Sequence, residues 1–190
     1  ASDECYAELG WEIFAQEGVP SLLDPRVTDG DISNLIALYS LSKQSNLAGY
    51  RAAFAAGDAS LIQPIVNLRM HSGLMMPAPV QKAVVAALGD EEHVQIEREI
   101  YRSRRDVLLK AVLDYGFEVS DSEAGLYIWA TMGKDCWATV TEMAELGILV
   151  VPGEFYEGSS SKHVRFSITA TDDKIAEGAQ RLANAIKLSS

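Results

Sequence analysis

Cysteine is scarce in this sequence of 190 residues: Cys5 and Cys136 lie far apart, with no CxxC and no Cys/His spacing around either. A disulfide framework and a zinc site are therefore not expected, and two reduced thiols in a cytoplasmic protein are. Long apolar runs are missing too. None approaches the ~20 residues that span a bilayer, and no signal-peptide pattern is visible. Positive charge is in short supply: sixteen Lys+Arg stand against twenty-seven Asp+Glu, a net charge of −11 spread over many segments. That balance repels nucleic acid and anionic membranes, so neither is expected as a partner. Of the three histidines, His93 and His163 have no metal-ligand company, and no metal is expected. Internal repeats and low-complexity segments are absent. The chain opens on ASDECYAELGW without an initiator Met, as if at the end of an element, which is expected of a piece of a longer protein.

What is present is the pattern of an α/β protein. ISNLIALYSLS (32–42) is β-prone at its centre and then turns to small hydroxyl residues, which predicts a buried strand running into a loop. GYRAAFAAGD (49–58) predicts a second short strand closed by Gly57-Asp58. Residues 59–70 have rough helical spacing, but Pro64 argues against an unbroken helix. Residues 79–90 read as a helix, with Pro79 suited to its first turn and Gly89 to its C-terminal cap. The longest helical pattern covers 91–116, acidic at its start and basic later, as the helix dipole favours. A strand pair (FEVS and AGLYIWATM), a helix opening on Asp135 and ending at Gly147, strands ILVVPG and HVRFSIT, and a final helix capped by Thr171 complete the chain. A domain boundary is expected at 90/91, before a small α/β domain.

One stretch, YSLSKQSNLAGYRAAFAAGD (39–58), places a lysine at the mouth of the first buried strand. A lysine becomes a nucleophile when desolvation or a nearby cation lowers its pKa. Lys43 stands beside Ser40 and Ser42 and near Arg51, and hydroxyls with an arginine suit a phosphate dianion. Without a GxxxxGK[ST] string, that set fits a lysine condensing with a phosphorylated aldehyde better than a nucleotide site. The alternative is an exposed loop lysine next to a structural arginine.

The spacing Ser40, Lys43, Arg51 resembles the cofactor-lysine motif of the class I/II pyridoxal-phosphate aminotransferases, of the aspartate aminotransferase fold. The string SLSKQSNLAGYRAAFAAGD is most similar to the version in N-succinyldiaminopimelate aminotransferases. The resemblance implies a fold type I transferase: residues 1–90 as the remainder of the large mixed-sheet domain and 91–190 as the small C-terminal α/β domain. It implies pyridoxal 5'-phosphate bound covalently by Lys43, with Ser40, Ser42 and Arg51 around its phosphate. SDECY resembles the family's Asp-x-x-Tyr, which puts Asp3 at the pyridine nitrogen and Tyr6 at the ring hydroxyl. VVPGEFYEGSSSKHVRFSIT resembles the closing segment, in which Arg165 would bind the substrate α-carboxylate. A structural salt bridge would equally satisfy an arginine in such a strand.

The partners implied are small amino and keto acids, with glutamate and 2-oxoglutarate as one pair and an N-succinyl-2,6-diaminopimelate pair as the other, in a homodimer. Alanine, aspartate or aromatic substrates are the alternative, as are a non-catalytic cofactor-binding regulatory module and a phosphate-binding domain without pyridoxal chemistry. The resemblance covers only the latter half of such an enzyme, so the chain alone is expected not to catalyse transamination. Among other residues, Trp11, Trp129 and Trp137 are expected to serve packing. Gly49 is expected to allow close backbone approach, and Asn46 to orient the lysine loop or touch substrate. Arg102, Arg104 and Arg105 are expected on a solvated face. His71 lies in a loop that family members turn toward the partner subunit. His93 and His163 are expected to be structural.

Overall fold

Asp24, Asp58 and Asp135 each close the first turn of a helix with a side-chain oxygen, accepting from Arg26 N, Ser60 N and Ala138 N. Such caps satisfy amides that have no partner within the helix. The computed structural model describes residues 1–156 and 158–189. It divides into two compact units, Ala1–Arg98 and Glu99–Ser190. The division falls inside the long helix, whereas the sequence placed it at that helix's start.

In the first unit, β1 (Ser2–Asp3) runs parallel to β2 (Ile36–Ser40), and β2 pairs antiparallel with β3 (Ala53–Gly57). The segment between β1 and β2 carries two short helices, α1 (Phe14–Glu17) and α2 (Pro25–Thr28). Leu9 and Trp11 are buried beside them. A single helical turn, α3 (Leu41–Gln44), follows β2 directly. Then come α4 (Ala59–His71) and α5 (Ala78–Leu88). Helix α4 is continuous through Pro64, against expectation. Proline there removes one amide donor, the bond to Ser60 O, while the Asp58 cap and the remaining turns hold the helix. Helix α6 (Glu91–Tyr115) begins in this unit, and its Arg98 guanidinium donates to Gly10 O and Ala15 O at 3.3 and 3.0 Å.

Gly57 ends β3 with φ +146°, and a Cβ there would strike the Leu35 carbonyl oxygen. Neither the torsion nor the space admits a side chain. Gly57→Ala is expected to destabilise the first unit by about 2–3 kcal/mol, seen as a lower urea midpoint. An unchanged midpoint would mean that the β2–β3 pairing is not built this way.

In the second unit, β4 (Glu118–Val119), β5 (Tyr127–Thr131), β6 (Val151–Pro152) and β7 (His163–Ser167) form a sheet ordered β4-β5-β7-β6, with antiparallel neighbours throughout. Ile128, Ala130, Val164 and Phe166 are buried on one face, as the period of two in a strand requires. Leu108 and Val112 of α6, Met143 of α7 (Cys136–Glu145) and Ile175 and Leu182 of α8 (Asp172–Ser189) are buried in the same unit. Arg105 departs from the expected solvated face. It is buried and donates to Ser122 O at 3.1 Å, while Arg102 pairs with Glu99 and Arg104 with Asp172. Trp11 and Trp129 pack as expected. Trp137 is largely exposed, edge-on to Phe155 and bonded to Glu154.

Glu142 of α7 accepts from Lys134 Nζ and from the Tyr115 hydroxyl. The Lys134 bond, and then the Tyr115 bond, hold its carboxyl below the ordinary value of 4.5, while partial burial opposes them. A depressed carboxyl contributes stability that is present above that ordinary value and lost as pH falls through the folded one. The stability gap between the parent and Glu142→Gln is therefore expected to close on acidification from about pH 5 downward. A gap that stayed constant through that range would contradict the pairing.

Candidate functional site

The lysine turn is built from both ends. Strand β2 delivers Ser40 in extended conformation, and its side chain accepts from Ser42 N at 3.2 Å, which caps α3. The Ser40 hydroxyl also donates to Ala52 O at 3.1 Å and lies 2.8 Å from the Ser42 hydroxyl. Gln44, buried, accepts from the Tyr39 hydroxyl. Asn46, at φ +51°, turns the chain out of the helix. Lys43 is thus half-buried on a turn of four residues, far too short to stand without its caps.

Lys43 Nζ lies 5.9 Å from the centroid of the Tyr6 ring. Asp3, exposed at the end of β1, accepts from Cys5 N at 3.2 Å. The Cys5 thiol sits among these groups. Burial and then Asp3 push its pKa up, and Lys43 opposes them. Burial likewise raises Tyr39 above the usual phenol range, helped by Glu8 and Cys5. Five of the six residues expected around a cofactor therefore gather where β1 and β2 end: Asp3, Tyr6, Ser40, Ser42 and Lys43. The sixth, Arg51, is exposed in left-handed conformation (φ +51°), and its guanidinium donates to Ala48 O at 2.9 Å. Gly49 does not mark a close approach, since open space surrounds the position of its missing Cβ.

Beside this cluster an open, mainly apolar cleft of about 710 Å3 is lined by Asp3 and Ser40 together with Leu38, Phe54, Ile65 and Met75 among others. Lys43 is not among its lining residues. His71 is exposed at the end of α4.

Arg165 belongs to the second unit. It lies on β7 opposite Trp129 of β5 and Val151 of β6. Its guanidinium carbon is 3.9 Å from the Tyr127 ring centroid and 5.1 Å from that of Tyr156. Trp129 meets Tyr156 edge-on and stacks nearly parallel on His163. Among the described residues Arg165 forms no ion pair, and its buried Nε has no hydrogen-bond partner. The salt-bridge alternative for Arg165 thus has no support among those residues. Rings can hold a guanidinium in place while leaving its nitrogens able to take a carboxylate.

Tyr127, Tyr156 and Gln44 were not singled out in the sequence, and Cys5 was read only as a reduced thiol. Tyr127 and Trp129 alternate in β5 with buried Ile128, which marks one face of a strand, but only the register of β5 on β7 brings that face to Arg165. Nothing in the sequence places Gln44 under Tyr39.

The family described as "Aminotransferase class I and II" matches residues 1–182 of this chain. A 4-dedimethylamino-4-oxo-anhydrotetracycline transaminase from Streptomyces rimosus is 49% identical over 181 residues, covering 95% of this chain and 49% of that relative. A solved aminotransferase from Neisseria meningitidis superposes with a TM-score of 0.87 at 27% identity, over 97% of this chain and 48% of the other. The N-succinyldiaminopimelate aminotransferase of Mycobacterium tuberculosis superposes with a TM-score of 0.78 at 27% identity, over 96% and 48%. The chain spans about half the length of the proteins it matches.

Proposed function

Because the chain belongs to the class I and II aminotransferases, whose members use pyridoxal phosphate, we propose that it supplies the lysine-bearing part of a cofactor site and the arginine for the substrate α-carboxylate. The observation that carries this reading is the capped turn that sets Lys43 against Tyr6, next to Asp3. The residues present fit the cofactor's chemistry. An amine, a carboxylate, a phenol and two hydroxyls match its aldehyde, pyridine nitrogen, ring oxygen and phosphate.

In this reading Lys43 anchors the cofactor covalently, Asp3 keeps the pyridine nitrogen protonated, and Tyr6 donates to the ring oxygen. Ser40 and Ser42 hold the phosphate. Arg51 joins them once its guanidinium leaves Ala48 O. Pyridoxal phosphate supplies an electron sink for the substrate α-carbon. Lys43 Nζ, when not bonded to the cofactor, would be the base that takes the α-proton. Arg165 binds the α-carboxylate through paired hydrogen bonds.

Glutamate and 2-oxoglutarate form one substrate pair of this proposal. The other is N-succinyl-2,6-diaminopimelate and its keto acid, supported by the wording of the lysine loop and by the likeness to the Mycobacterium tuberculosis enzyme. The Streptomyces rimosus relative, at 49% identity, favours a second reading, amination of a larger cyclic ketone. Since the chain spans half of such enzymes, it is not expected to turn over alone. The test is a substrate panel on a polypeptide joining this chain to the preceding half of a class I and II aminotransferase. Preferred transfer from glutamate to the succinylated keto acid supports the first reading. Transfer to cyclic ketones alone supports the second, and transfer to neither, with cofactor bound, supports a binding role.

A further inference from the structure

One contact reaches the lysine turn from far along the chain. His93 Nε2 lies 2.8 Å from the Ser45 hydroxyl, a pairing across 48 residues, and His93 Nδ1 lies 3.2 Å from Asp90 Oδ2. The same Asp90 caps α6, its other oxygen accepting from Glu92 N and His93 N at 3.1 and 3.4 Å. The carboxylate beside Nδ1 favours the ring proton there, so that in the neutral ring Nε2 accepts from the serine hydroxyl.

Resting on the reading of Lys43 as the cofactor's anchor, we infer that His93, oriented by Asp90 and acting through Ser45, is a positioning residue for Lys43. Ser45 is the C-cap of α3, and its amide and that of Leu47 both donate to Leu41 O, at 3.2 and 3.3 Å. A helix of one turn cannot hold its shape by its own hydrogen bonds. Its other clamps, Ser40 to Ala52 and Tyr39 to Gln44, come from its own neighbourhood and secure the start and the inner face. The histidine ties the exit of the turn to a long helix, and the capping aspartate keeps that histidine from swinging. A neutral residue two positions beyond the reactive lysine thereby fixes the direction in which the lysine leaves the backbone.

The order Asp90, His93, Ser45 is also that of a hydrolytic triad, and the test separates the two roles. Amide exchange at Ser45 and Leu47 reads the turn without any cofactor. Ser45→Ala and His93→Phe are each expected to speed it on the order of tenfold. The double variant is expected to do no more than either single one, because the two residues act through one link. His93→Gln, which can still bond the serine, is expected to restore exchange to within about threefold of the parent. Acetylation of Lys43 should change with the exchange, while that of Lys82, exposed on α5, stays constant. A fluorophosphonate is expected to leave Ser45 unlabelled.

Unchanged exchange in Ser45→Ala, additive effects in the double variant, absence of rescue by glutamine, or labelling of Ser45 would each overturn the inference. Ser45→Ala and His93→Gln keep it testable if the phenylalanine variant does not fold. Failure of Lys43 in the parent chain to react with pyridoxal phosphate would instead sink the cofactor reading and leave the exchange result standing.

Discussion

Replacing Lys43 by alanine is expected to drop amino transfer to background, a fall on the order of 10⁴-fold, in any active polypeptide that carries this chain. Two roles end together in that variant. In the proposed reading the covalent anchor would be gone, and with it the base for the α-proton. The turn itself should survive, since its clamps are the side chains of Ser40, Gln44 and Ser45 and the carbonyl of Leu41. Lys43→Ala should therefore fold like the parent, with unchanged amide exchange at Leu47, yet lose any cofactor adduct that borohydride can fix. Retention of such an adduct would place the anchor on another lysine.

Arg165→Ala is the second large effect. Removing one partner of a desolvated charge pair costs about 2–5 kcal/mol. KM for both the amino and the keto acid should therefore rise on the order of a hundredfold or more, because both substrates carry the α-carboxylate. Arg165→Lys is expected to recover only part of this. An ammonium makes a single-point contact and cannot replace the planar guanidinium, whose carbon lies 3.9 Å from the Tyr127 ring centroid. The second unit should tolerate either change, as no carboxylate among the described residues is left unpaired by it. An unchanged KM for both substrates would remove Arg165 from this role.

Much of this was open to reading before any coordinates. Helices α5 to α7 announce themselves by period, caps and closing glycines, α8 by its period and its start after Thr171, and β2 and β3 by β-prone runs ending in turn residues. The family followed from one spaced motif and two flanking strings, and the aspartate aminotransferase fold with it. What stayed hidden depends on chain segments meeting. Turn α3 has no period to detect, because four residues cannot show one, and its caps, Ser40 and Ser45, bond to Ala52 and His93, which lie farther along the chain. Arg105 reads as one more charge in a basic run, and its burial, with a bond to the Ser122 carbonyl, shows only once the chain is folded. Pro64 looks like a break because local rules count the lost bond and not the turns that outlast it. The rings that hold Arg165 become visible only with the β5–β7 register. Substrate choice is legible only as far as the lysine loop's likeness to one group of relatives.

In the proposed reading Lys43, alone among the seven lysines of the sequence, holds the cofactor. Incubation with pyridoxal phosphate, reduction with borohydride and peptide mapping by mass spectrometry test it directly. The account predicts the reduced adduct on the peptide containing Lys43, with the other six lysines modified only in proportion to their exposure. An adduct spread over those six, with Lys43 unmodified, would contradict it.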